Sequence, residues 1–418
     1  MRGTSRTCRT SRTSRTSRTR RRVGPAACWA GAALLALAGC GQGGGVTPSP
    51  SPAASSTLAT PSPSSSPSPS PSPSPAPSVT EVAVGQLTAE EKAGQLLMLA
   101  LFDPTAAADP VLAGAHVGSV LLLGTGWSLE TAQSAAAQVN ALPRPGGLAP
   151  FIATDQEGGQ VQRLQGAGFS AIPSATTQGT WAPEDLATAA AGWGAELKAA
   201  GVNLDLAPVA DVVDAAFKYA NAPIGQLDRE FASDPASAGR SAAAFVTGMA
   251  EAGVATAVKH FPGLGRVTGN TDFTSEGIVD DATTTDDPNF EAYTLALAAH
   301  PAMVMVALAY YTQIDPDHQA AFSPAVITDL LRGRLGWTGV VISDSLSAQA
   351  ATVLTAGERA VQFVRAGGDI AIFETAAEVQ EAWSALTAEM AADPAFAAQV
   401  DAAVARIVTA KQQAGLLG

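Results

Sequence analysis

Eight short apolar runs recur between residues 96 and 373, each followed by a stretch with helical patterning. They occupy 96–101, 118–123, 151–154, 202–206, 255–259, 303–308, 340–343 and 370–373. The runs are apolar throughout rather than alternating, which suits parallel strands covered on both faces. The intervening segments, such as 185–200 and 236–252, are Ala-rich and amphipathic. Eight strands alternating with helices predict an α/β chain folded as a (β/α)8 TIM barrel, a single domain over 80–418. A doubly wound open sheet has the same alternation, and only closure separates the two.

Helix ends are legible as well. Thr88 with Glu91 has the spacing of a capping box. Ser323-Pro324 sets a cap before a first-turn proline, and Gly253 and Gly336 can stop helices at positive φ. In a barrel the working residues follow the strands. Asp155 follows the third run; Asn203, Asp205 and Asp211 surround the fourth; Lys259 and His260 end the fifth; Asp344 follows the seventh. Each is either a site residue or a structural polar group with its partners satisfied.

The first 79 residues belong to no such pattern. Residues 1–22 repeat Ser-Arg-Thr, 26–39 are apolar, and the stretch ends Leu37-Ala38-Gly39-Cys40. A basic leader and a short apolar segment predict an export signal over 1–40. Its end is similar to a bacterial lipobox, which implies lipidation at Cys40 and a position outside the cytoplasm, anchored to the outer face of the membrane by lipid alone. Residues 41–79 read as a disordered Ser/Pro-rich linker; 11 of the 28 prolines lie within 46–79. As polyproline II, at about 3.1 Å per residue, it could reach roughly 100 Å.

The three cysteines are Cys8, Cys28 and Cys40, so the barrel region has neither a disulfide nor a thiol nucleophile. Nine of the arginines precede residue 41, leaving 15 basic against 37 acidic residues in the remainder, a net of −22. That charge argues against a nucleic-acid partner.

Six segments carry a family resemblance: ATDQEGGQVQRL (153–164), NLDLAPVADV (203–212), IGQLDREF (224–231), KHFPG (259–263), AFSPAVITDLL (321–331) and GVVISDSL (339–346). In this order they resemble the β-N-acetylglucosaminidase branch of glycoside hydrolase family 3, in an actinobacterial-type lipoprotein form. The resemblance covers about 87–417 and implies a monomeric retaining enzyme that removes terminal β-linked N-acetylglucosamine from cell-wall fragments, in peptidoglycan turnover. It implies Asp344 as nucleophile and Asp155, Arg163, Arg229, Lys259 and His260 as substrate-binding residues. An ionised carboxylate at a strand end suits attack on an anomeric carbon, and Asp155 can accept two sugar hydroxyls. Gly158 and Gly159 allow close backbone approach. No cofactor and no metal are expected, since the motif positions hold no ligand cluster.

The chain departs from the pattern at Ser345, where a second aspartate is common, and at Gln160, where an arginine is common. The larger departure is the acid. The branch uses a histidine, with an aspartate two residues earlier, on the loop after the fifth strand. Here those positions hold Asp272 and Asn270, and Leu264 replaces a further histidine. Three readings stand. Asp272 is the acid/base, its pKa raised by an apolar pocket or by Asp344, with Asn270 donating a hydrogen bond to it. Or Glu276 on the same loop serves instead. Or the site binds sugar with little or no turnover, as a tethered binding protein. A β-glucosidase or β-xylosidase with the same nucleophile is a third function. In the wider family a second domain can supply the acid; here only closing helices follow, so the acid is expected from the barrel's own loops. Asp211 and Glu157 are expected to brace loops through backbone hydrogen bonds, and His116, His300 and His318 to sit at surface or helix-end positions.

Overall fold

A computed structural model describes residues 78–417. The leader, Cys40 and the linker up to residue 77 lie outside the described residues. Eight strands form the barrel: β1 (Leu97–Leu101), β2 (Ser119–Leu122), β3 (Phe151–Thr154), β4 (Leu204–Asp205), β5 (Ala255–Phe261), β6 (Met303–Val306), β7 (Val340–Ser345) and β8 (Ile370–Phe373). All neighbouring pairs are parallel, and the sheet closes through Leu97 opposite Ala371 and Met98 opposite Ser119. Closure rules out the open sheet.

β4 is shorter than its apolar run, although the Asn203 and Leu206 amides still bond across to β3. Asn203 is structural: its Oδ1 accepts from Ile152 N at 2.8 Å and its Nδ2 donates to Pro150 O at 3.1 Å. β5 runs two residues past its predicted end, and its register against β6 shifts between Val258 and Phe261. A register irregularity of this kind re-aims side chains. Here consecutive residues, Lys259 and His260, both reach the same cavity. A short hairpin (Gln156–Gly158 with Val161–Gln162) and a three-stranded sheet (Val279–Asp280, Tyr310–Tyr311, Asp315–Gln319) decorate the loops and have no counterpart in the sequence reading.

The outer helices explain the alanine content. Pro183–Ala199 and Pro235–Glu251 approach so closely that a Cβ on Gly248 would lie 2.1 Å from the Ala187 carbonyl oxygen. The expected caps are present. Thr88 and Glu91 exchange both hydrogen bonds of a capping box. Ser323 Oγ accepts from Val326 N at 3.2 Å, and the helix it opens, Ala325–Arg334, is π-wound. Gly253 and Gly336 take φ of 74° and 73°. Among the described residues no helix is long and apolar enough to cross a membrane.

The end of the barrel away from the strand C-termini holds a buried amine. Lys411 Nζ donates to Gln95 Oε1 at 2.7 Å and Gly118 O at 3.0 Å, beside the Phe151 ring. Burial without a counter-charge pushes its pKa down to about 7. Two acceptors match the two N–H groups of a neutral amine. The unfolded chain therefore holds this proton between about pH 7 and pH 10.4 while the folded chain does not, so stability rises with pH across that window. Lys411→Met removes this dependence. Thermal melts of the two proteins should show the variant losing ground to the wild type by up to about 1.4 kcal/mol per pH unit from pH 7 to 10.

Candidate active site

The C-terminal ends of the strands surround an open cavity of about 330 Å³. Its charged lining includes Asp155 after β3, Arg229 from the loop after β4, Lys259 and His260 of β5, Asp272 from the loop after β5, and Asp344 and Glu374 at the ends of β7 and β8. Arg163 enters from the hairpin that follows β3. All seven residues assigned by the sequence to catalysis or sugar binding are thus brought together.

The floor is a compensated charge network. Lys259 Nζ lies 2.7 Å from both Asp155 Oδ1 and Glu157 Oε1 and is almost fully buried. Arg229 grips Glu157 through two hydrogen bonds of 2.8 and 2.7 Å and donates to Pro223 O at 2.8 Å. Burial would raise the Glu157 pKa, but the charges of Arg229 and Lys259 hold it well below the usual carboxylate range. Burial likewise works against Lys259, and Asp155 and Glu157 overcome it to raise its pKa. The expectation for Glu157 is corrected here. Its carboxylate binds two cations rather than backbone amides, because a buried ion needs an opposite charge more than a neutral dipole.

Asp211 fulfils its bracing role and adds another. Its Oδ1 accepts from His260 N (3.2 Å), Leu264 N (3.0 Å) and the Tyr293 hydroxyl (3.0 Å), and its Oδ2 lies 2.7 Å from His260 Nδ1. Although burial opposes it, the His260 ring and these donors keep its pKa low. With Nδ1–H donating to Asp211, the Nε2 lone pair faces Arg229 Nη2 at 3.4 Å. Asp205, by contrast, is buried under the site and accepts from Gln156 N at 2.9 Å, while its Oδ2 has no partner. Burial pushes its pKa up to about 8, so it is an uncharged structural group at neutral pH. Gly158 and Gly159 do permit close approach, but to the 173–174 backbone: a Cβ on Gly158 would meet Pro173 O at 2.3 Å.

The loop that carries Asp272 is fixed at base and tip. At its base, Asn221 Nδ2 donates to the carbonyls of Leu264 and Val267, and the Tyr311 hydroxyl donates to Gly263 O. At its tip, the Thr271 and Asp272 carbonyls accept from Ala350 N (3.1 Å) and Gln349 N (3.3 Å), just beyond β7. The Asp272 side chain opens into the cavity. The residue keeps an exposed surface, yet partial desolvation by the cavity walls, and then the charge of Asp344, raise its pKa to about 6 against the pull of Arg229 and His260. Asn270 acts in the opposite sense to that expected. Its Oδ1 accepts from the Asp272 amide at 3.0 Å, so it shapes the turn instead of donating to the carboxylate. Glu276 is exposed and is not among the residues lining the cavity. His116 and His300 sit just after helices with φ of 52° and 58°, and His318 is exposed beside Asp315.

Three contributors were missed. Tyr293 and Asn221 lie far from any strand end, and no sequence signal marks them. Glu374 does have one: it directly follows β8, as Asp155 follows β3. Glu374 accepts from Ser345 Oγ at 2.7 Å, and Ser345 N donates to Asp344 Oδ1 at 2.8 Å. The serine at position 345 thus links the carboxylates of β7 and β8.

The profile of the glycosyl hydrolase family 3 N-terminal domain matches residues 88–410. The chain belongs to glycosyl hydrolase family 3. As a family 3 member it is 33% identical over 340 residues to the β-hexosaminidase LpqI of Mycobacterium tuberculosis, covering 78% of this chain and 83% of the relative. The β-N-acetylhexosaminidase structure from Beutenbergia cavernae is 43% identical, with a TM-score of 0.74 over 78% of this chain and 99% of that one. A family 3 β-N-acetylglucosaminidase structure from Paenibacillus is 26% identical, with a TM-score of 0.69 over 79% and 63% of the two chains. The family 3 barrel is therefore a glycosidase fold with its polar cavity at the strand C-termini.

Proposed function

We propose that this glycosidase is a β-N-acetylhexosaminidase that hydrolyses terminal β-linked N-acetylglucosamine from cell-wall glycans by double displacement. The named relatives support the activity. The observation that carries the mechanism is the pairing, in one cavity, of Asp344 with an Asp272 whose pKa is raised to about 6. Two carboxyl groups of different protonation are what retention requires.

In the first step an Asp344 oxygen attacks the anomeric carbon as the glycosidic bond breaks, and the leaving oxygen takes the Asp272 proton. A glycosyl ester of Asp344 results. In the second step the Asp272 carboxylate takes a proton from water, whose oxygen attacks the anomeric carbon and releases Asp344. Both aspartates return to their starting states. Asp155 and Lys259, already paired, present an acceptor and a donor to sugar hydroxyls. Arg163, which lines the cavity with its Nε 3.9 Å from Asp155, contributes a further donor through its guanidinium. Arg229 and His260 complete this set. The leader ending at Cys40 and the Ser/Pro-rich linker support an extracytoplasmic position, with the 80–418 barrel tethered to the membrane by lipid.

Proton NMR of the reaction with an aryl N-acetyl-β-glucosaminide tests the reading. The first-formed sugar should be the β anomer, and the corresponding glucoside and xyloside should react more slowly. Phosphate should not accelerate the reaction, because an anionic acid/base repels an anionic nucleophile. A sugar phosphate product, or an α anomer formed first, would refute the mechanism.

A further inference from the structure

Phe273 is out of place by ordinary packing logic. It is 81% exposed, one of only a few large apolar side chains so exposed among the described residues, and it lines the catalytic cavity. It directly follows Asp272 on the β5 loop. The turn that presents both is ordered by its own backbone: Phe273 N and Thr274 N both donate to Asn270 O, at 3.0 and 3.1 Å. Thr271, just before Asp272, is buried and its carbonyl is fixed to Ala350 N. The aromatic ring is therefore carried on a pre-set turn at the rim of a polar cavity.

The reaction assigns a direction to that rim. An acid on Asp272 must face the leaving oxygen, so the sugar beyond that oxygen lies on the same side as Asp272. Phe273, the next residue of the turn, lines the same cavity and is exposed. A pyranose presents a face of C–H bonds, which an aromatic face can cover while the hydroxyls stay in water.

We propose that Phe273 is a specificity-determining residue, a platform on which the leaving-group sugar of an oligosaccharide stacks. The inference rests on the hydrolase reading above, and it assigns to one residue the recognition of the sugar ring that a glycan presents as leaving group. The ring supplies affinity on the leaving-group side only. Its removal acts on substrates in proportion to what they place there.

The test compares N,N′-diacetylchitobiose with N-acetylglucosaminyl fluoride, whose leaving group has no ring. Phe273→Ala should lower kcat/KM for the disaccharide about five- to tenfold more than for the fluoride, and Phe273→Trp should restore it. Equal losses on both substrates, or no loss on the disaccharide, would overturn the proposal. Calorimetry in an Asp344→Asn background gives a readout independent of turnover. There Phe273→Ala should weaken disaccharide binding about five- to tenfold relative to N-acetylglucosamine itself. A wild-type protein that fails to turn over either substrate refutes the hydrolase reading, whereas an unaltered ratio of the two affinities refutes the platform.

Discussion

Asp344→Asn is expected to lower kcat/KM for every N-acetylglucosaminide by at least about a thousandfold, equivalent to about 4 kcal/mol of transition-state stabilisation. An amide has the shape of the carboxylate without its charge, and it cannot form the glycosyl ester. The fold should survive, because the Asp344 side chain accepts a hydrogen bond from Ser345 N that an amide oxygen can also accept. Melting temperature should hold or rise slightly, since the substitution removes the charge that disfavours ionised Asp272. Binding of N-acetylglucosamine, measured by calorimetry, should persist. Residual turnover within tenfold of wild type would remove Asp344 from the mechanism.

Asp272→Ala should divide substrates by their leaving groups. General acid catalysis contributes roughly 10²–10⁴-fold, and the full share is felt only where the leaving oxygen needs a proton. Chitobiose hydrolysis should therefore fall about a thousandfold, while bond cleavage in a dinitrophenyl glycoside falls less than about tenfold. With the activated substrate the variant should accumulate glycosyl-enzyme, because water then lacks its base; added azide, which needs none, should restore turnover. The pH profile carries the same signature. The acid must be protonated in the free enzyme, so kcat/KM for chitobiose should decline as pH rises through about 6. Glu374→Gln removes one of the charges that raise this pKa and should move the decline to lower pH. Equal loss on both leaving groups would rule out Asp272 as the acid.

The barrel was legible because burial on both faces leaves a continuous apolar run, and all eight predicted strands agree with the observed ones to within two residues at each end. β4 was the least faithful, since Val202 and Leu206 are buried apolar residues beside the strand rather than in it. Site residues were legible where they follow strands in quoted motifs, as Asp155, Lys259 and Asp344 do. What sequence could not supply was pairing across the cavity. Nothing in KHFPG tells that Lys259 meets Glu157, 102 positions away, or that Asp211 would be shared by His260 and Tyr293. The orientation of Asn270 was misjudged for a related reason. A short side chain in a tight turn meets its own backbone first, and only coordinates show which group it reaches.

The Gln349 and Ala350 amides tie down the turn that carries Asp272. The segment they come from continues β7, the strand that carries Asp344. A shift of that strand end is therefore expected to carry the Asp272 turn with it, so that the spacing of the two carboxyl groups is set from one side of the rim. A lengthened hinge at 349–350 would decouple them, leaving two intact carboxyl groups whose spacing is no longer held.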